Sequence, residues 1–251
     1  MGLDFLFLER KIVECRRCPR LVEWRERVAR EKVRRFINEK YWGRPVPALG
    51  APEAALVIIG LAPAAHGGNR TGRIFTGDRS GDWLYEALYT FGFANQPVSI
   101  GLDDGLTLHD CLVTAVVRCA PPDNKPLPVE INNCREYLIR ELQLANRKRV
   151  VVALGQVAFR SFLKIWKESI GLPSDAKFEF GHGREWSMPG GVVLISSYHP
   201  SQQNTQTGKL TRSMFHAIFR HAREILEKQE GRNQKSEASS RNSEAGPKRK
   251  A

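Results

Sequence analysis

Four short apolar runs constrain this chain more than any other feature: ALVIIG (55–60), CLVTAVV (111–117), RVVVAL (149–154) and GVVLISS (191–197). Each is rich in β-branched and aliphatic residues, and none alternates strictly with polar ones. A strand that is apolar on both sides must be covered on both sides, as inside a parallel sheet flanked by helices. Helical patterns lie between the runs. Ser80 is the expected N-cap of SGDWLYEALYTFG, and LPVEINNCREYLIRELQLANR and GQVAFRSFLKIW follow. The last pattern, LTRSMFHAIFRHAREILEKQ, puts Leu210, Met214, Ile218 and Ile225 on one face. Ahead of the first run, CPRLVEWRERVAREKVRRFINEK also reads as a helix. This alternation predicts an α/β fold: a three-layer α/β/α sandwich around a parallel central sheet. The Gly-His-Gly turn in KFEFGHGREWSM predicts a small hairpin.

Residues 1–230 form one expected domain. From Gly231 onward there is no aliphatic side chain larger than Ala, so 231–251 is expected to be a disordered basic tail. Charge narrows the partners. The formal net charge is +12, and residues 10–40 hold 12 Lys and Arg against 5 Glu. An acidic partner follows, with nucleic acid first among them; a solvated helix face is the bland alternative. No apolar run is long enough to cross a bilayer. A cytoplasmic protein is expected, with its five cysteines outside disulfides.

In open parallel sheets, ligands bind beyond the carboxyl ends of the strands. Here the first run is followed by GLAPAAHGGNRTGRIFTGD, the second by RCAPPDNKP and the fourth by SYHPSQQNTQTGK. All three segments leave the same edge, which becomes the candidate site. The first segment lacks the P-loop lysine and the dinucleotide glycine pattern. Small residues at Gly60, Ala62, Ala64 and Ala65 would let backbone approach a flat ligand, and Phe75 could stack on it. An ordinary core role is the alternative for Phe75. His199 stands at a strand end ahead of Pro200, as a functional or a structural histidine. The polar residues 201–205, Ser201 and Asn204 among them, could contact backbone phosphates, with Lys209 nearby. Arg16, Arg17 and Arg20 are further candidates for phosphate contact.

The cysteines carry a separate signal. Cys15 and Cys18 form C-x-x-C; Cys119 and Cys134 stand alone. Four soft ligands suit an iron–sulfur cluster or zinc, and a site without metal also stays open. Cys111 begins an apolar run and reads as a buried small hydrophobe.

Together, GLAPAAHGGNRTGR-FTGD-SG, RCAPP-NKP, HPS-N--TGKLT and the four cysteines resemble the family 5, or type b, uracil-DNA glycosylases, over roughly residues 10–225. The resemblance implies a four-stranded parallel sheet and a [4Fe-4S] cluster on Cys15, Cys18, Cys119 and Cys134. It implies monofunctional excision of uracil and other deaminated bases, such as hypoxanthine, from DNA, as the first step of base excision repair. Double-stranded DNA, and single-stranded DNA besides, would be the partner of a monomer. On this likeness Phe75 stacks on an extruded base, His199 stabilises the leaving base, and Asp78 and Asn124 help hold the attacking water. Relatives that place Asp or Asn at the position of Ala62, or a strand Asn at the position of Thr114 or Ala115, differ from this chain there. A nucleic-acid-binding module with a structural metal, or a nucleotide-binding transferase, are the competing readings.

Overall fold

The computed structural model describes residues 2–172 and 177–244. In chain order the helices are α1 (Leu3–Val13), α2 (Pro19–Glu31), α3 (Gly68–Thr71), α4 (Arg79–Thr90), α5 (Pro128–Leu144), α6 (Gln156–Ser169), α7 (Gln202–Gln206) and α8 (Arg212–Glu244). The strands are β1 (Leu49–Gly50), β2 (Leu56–Gly60), β3 (Cys111–Ala115), β4 (Val150–Leu154), β5 (Arg184–Met188) and β6 (Val192–Ser197).

The four apolar runs form β2, β3, β4 and β6, and they are mutually parallel in the order β3-β2-β4-β6. Two short antiparallel strands extend this sheet to six: β1 beside β3 and β5 beside β6. Strand parity divides the core. Val57, Ile59, Val151 and Ala153 face α1, α5 and α6, meeting Phe5, Leu138, Phe159 and Phe162. Leu56, Ile58, Val150 and Val152 face α4 and α8, meeting Leu84, Leu88, Phe215 and Phe219. The result is the expected three-layer sandwich. Cys111 is fully buried in the second of these cores, on the opposite face from the other cysteines.

Several local expectations are corrected. The hairpin turns at Pro189-Gly190-Gly191, where both glycines have positive φ (83° and 75°), and pairs β5 with β6. The Gly-His-Gly segment instead leads into β5. The N-cap of α4 is Asp78, whose carboxylate accepts from the amides of Ser80 and Gly81. Asp is as good a cap as Ser, and the helix starts two residues earlier than expected. The long basic helix ends at Glu31, where Lys32 takes a positive φ of 53°, and a short 3-10 turn follows at Arg34–Phe36. Phe215, Ile218, Phe219, Ala222 and Leu226 form the buried stripe of α8, so Met214 and Ile225 sit at its margin. That helix continues past Gly231, where the tail was expected to begin, to Glu244; residues 245–251 lie outside the described residues.

Candidate active site

Chain direction creates a crevice at the carboxyl edge of the sheet. After β2 the chain passes to α4 on one face; after β4 it passes to α6 on the other. Such a divergence opens a cleft between neighbouring strands. Gly60 ends β2. A Cβ there would lie 2.6 Å from the Phe75 ring, so only glycine lets that ring settle on the strand end. Phe75 itself has φ 51°. A left-handed aromatic residue costs free energy and persists only where its surroundings fix it. One fixing element is Gly81, where a Cβ would lie 1.8 Å from the Phe75 carbonyl oxygen.

The Phe75 ring stacks against the His199 imidazole, with centroids 5.8 Å apart and 27° between planes. Phe75 is 7% exposed, so it is largely a core side chain with one edge at the crevice. His199 follows β6, and its carbonyl accepts from the Asn204 side-chain amide at 2.9 Å. Asn204 thus braces the histidine loop. Burial lowers the His199 pKa from 6.5 to about 4, so the ring is neutral near pH 7, with one N–H to donate. Within the loop between β2 and α4 a Cβ on Gly67 would lie 2.4 Å from Asp78 Oδ2, so glycine there makes room for the carboxylate. Burial raises the Asp78 pKa, opposed by the amides of Gly81 and Ser80.

Gly60, Phe75 and His199 therefore converge, and Asp78 caps α4 three residues along the chain from Phe75. Ala62 packs on the first core, and Ala64 and Ala65 are half-buried on the same loop. Asn124 stands apart on the turn after β3. It is exposed, has φ 56°, and its side chain has no hydrogen-bond partner among the described residues. Ser201 caps α7 through the Asn204 amide at 3.4 Å. Lys209 is exposed with its ammonium over the Tyr198 ring. Thr114 and Ala115 are fully buried; Thr114 donates to Glu141, and Ala115 pairs in register with Gly60.

Other residues complete the site with little sequence signal. His182 Nδ1 accepts from the Tyr198 amide at 3.2 Å, so His182 supports the segment carrying His199. Arg70 donates to the His66 carbonyl at 2.8 Å and lies over the Phe36 ring, bracing the glycine-rich loop against the N-terminal segment. Arg35, Arg79 and Arg212 line an open groove beside Asp78 and Gln202. Arg212 is ion-paired with Glu86, whereas Arg35 and Arg79 are exposed without a carboxylate partner among the described residues. The arginines picked from sequence are engaged elsewhere: Arg16 with Glu26, Arg17 with Glu136 and Arg20 with Glu130.

Cys15, Cys18, Cys119 and Cys134 line one cavity. Three N–H groups point at their sulfurs: Arg25 Nη1 at Cys119 (3.0 Å), the Arg118 amide at Cys134 (3.3 Å) and the Asn133 amide at Cys18 (3.6 Å). No group of three or more His, Cys, Asp or Glu among the described residues is arranged to hold a single metal ion. Burial pushes the thiols of Cys119 and Cys134 up, to about 11 and about 12. Four convergent soft sulfurs with N–H donors aimed at them form a donor set that suits an iron–sulfur cluster.

A family model described as the Uracil DNA glycosylase superfamily matches residues 47–223. The Type-5 uracil-DNA glycosylase of Thermus thermophilus is 49% identical, over 85% of this chain and 94% of that protein. The Type-5 enzyme of Mycobacterium leprae is 48% identical, over 87% and 94%. A Type-4 uracil-DNA glycosylase of Archaeoglobus fulgidus is 30% identical over 62% of this chain and 70% of its own length.

Proposed function

The chain belongs to the uracil DNA glycosylase superfamily, and from that premise we propose that it removes uracil and other deaminated bases, hypoxanthine among them, from DNA. The observation that carries this reading is the Phe75–His199 pair at the sheet edge, with the Asp78 carboxylate on the same loop system.

A base inside the duplex is out of reach, so the target nucleotide is swung out, at a cost of about a few kcal/mol. Phe75 offers its exposed ring edge as an apolar contact for the extruded base. As the N-glycosidic bond breaks, the sugar becomes oxocarbenium-like and the base leaves with negative charge. A neutral imidazole N–H from His199 stabilises that charge, and a donor of this kind is worth roughly 3 kcal/mol. Asp78 holds the water that attacks the sugar, and Asn124 is the second candidate for this task. The glycine-rich loop contains no lysine between Gly60 and Gly81, which favours simple hydrolysis over an amine-linked intermediate. Exposed Arg35 and Arg79 contact phosphates of the DNA strand, with Ser201, Asn204 and Lys209 on the neighbouring loop as further contacts.

Cys15, Cys18, Cys119 and Cys134 would hold a [4Fe-4S] cluster. Bound there, the group supplies a cross-link between the N-terminal segment and the chain after β3. The small side chains of Ala62, Ala64 and Ala65 present no edge-reading group, and a pocket without one does not strongly reject an analogue. Duplexes identical except for one uracil or one hypoxanthine test this breadth by chromatography of the released base. Release of both supports the reading. Release of uracil alone, at excess enzyme, restricts the pocket to uracil, and release of neither refutes it.

A further inference from the structure

Arg25 is a buried cation without a buried anion. It is 2% exposed, and its nearest carboxylate, Glu26, lies 3.9 Å away, half-buried and held by Arg16. Its Nη1 points at Cys119 Sγ (3.0 Å), its Nη2 at the Cys15 carbonyl (3.2 Å), and its Nε has no partner. A guanidinium keeps its charge, and burying it unpaired is expensive. The cysteine cavity is the place where a compensating anion fits, and a group held on four thiolates brings negative charge there.

The same residue reaches the other site through its backbone. The Arg25 carbonyl accepts from Asn69 Nδ2 at 3.2 Å. Asn69 is fully buried in α3, at the centre of the glycine-rich loop. Its carbonyl accepts from the Gly43 amide and its own amide donates to Ala64. Two residues away is Gly67, the position that makes room for Asp78.

We propose that Arg25 is a positioning residue that couples the cysteine site to the base pocket, its side chain reading the charge at Cys119 and its carbonyl anchoring Asn69. Loss of the bound group leaves the guanidinium without its anion, α2 shifts to solvate it, and the anchor on the glycine-rich loop is lost. This rests on the proposed cluster for its trigger and on the proposed glycosylase only for its kinetic readout.

The test is amide hydrogen exchange on the full chain purified without oxygen, before and after iron removal with ferricyanide and EDTA. Exchange at residues 66–76 should accelerate together with residues 15–31, by about tenfold or more, while β4 stays protected. Asn69→Ala should retain wild-type iron yet exchange fast at 66–76 in the iron-loaded protein. Its single-turnover excision at saturating enzyme should fall by about 10- to 100-fold with affinity for undamaged duplex unchanged. Arg25→Lys, which keeps the cation, should retain more loop protection than Arg25→Met at equal iron content. Iron removal that frees residues 15–31 but not 66–76 overturns the coupling, as does wild-type loop protection in Asn69→Ala. Protein that purifies with neither iron nor another metal on these cysteines overturns it as well. Normal exchange coupling without base excision would refute the glycosylase reading alone.

Discussion

At the scale of single residues, the proposed chemistry is divided between His199 and Asp78. His199→Ala should lower single-turnover excision by about 100-fold or more, with duplex affinity nearly unchanged. Its imidazole should titrate near pH 4 rather than 6.5 by histidine NMR. Because the folded pKa is depressed, the folded state binds fewer protons than the unfolded chain. The contribution of this group to stability is therefore complete above about 6.5 and declines as pH falls toward 4. A titration near 6.5 would place the ring in water. Asp78 also caps α4. Asp78→Asn retains a capping side chain, so a loss of rate without a loss of stability isolates the carboxylate; Asp78→Ala should additionally cost about 1 kcal/mol. His199 was legible as a candidate from its place at a strand end in a polar loop, whereas Asp78 came only through the family resemblance. The roles of His182 and Asn204 were not legible, since a histidine in a turn or an asparagine in a polar loop gives no sign of which backbone group it will brace. Ala115 was legible only as an alternative: it is fully buried beside Gly60, so Ala115→Asn should destabilise the protein rather than narrow its substrate range.

Among the elements, the loop between β2 and α4 depends on glycines that allow close approach. Gly60→Ala would push the Phe75 ring off the strand end. Excision should fall more than thermal stability does, and an unchanged rate would show that the ring need not rest there. The apolar runs were readable as parallel strands because burial on both faces removes alternation from the sequence. Edge strands carry no such signal. β1 is two residues long, and β5 is exposed on both faces at its start, where Arg184 and Glu185 point to opposite sides. The helix carrying the N-terminal charge was readable, but its partners were not, because ion pairs such as Arg20–Glu130 join residues 110 positions apart. The proposed phosphate contacts are therefore Arg35 and Arg79, which line the groove without a carboxylate partner among the described residues. Replacing both with Gln should reduce the log–log salt slope of duplex binding by roughly 2, at ~0.9 per contact. The same change at Arg140, exposed near the far end of α5, should leave the slope as it is.

In the whole molecule, an α/β sandwich brings three loops to one edge, and an N-terminal segment outside the family match adds a second site behind them. That segment contributes Cys15 and Cys18 to the cysteine cavity and braces the glycine-rich loop through Tyr41–His66, Trp42–Arg70 and Gly43–Asn69. The fold was open to sequence reasoning because hydrophobic period is a local property. The grouping of the four cysteines was named in the sequence as a set of soft ligands and through the family resemblance; the cavity that gathers 15 and 18 beside 119 and 134 is visible only in the folded chain. Protein purified without oxygen should contain about four irons per chain with broad visible absorbance; stoichiometric zinc with negligible iron would assign the site to zinc. In the proposed reaction the crevice framed by Phe75 and His199 removes a base and leaves the strand intact. A duplex end-labelled on the strand carrying one uracil, incubated with excess enzyme and divided between alkali and neutral buffer, tests it directly. A break at the uracil position is expected only after alkali, and it should form much more slowly with His199→Ala. An intact strand after alkali, under salt conditions where the protein binds the duplex, would contradict it.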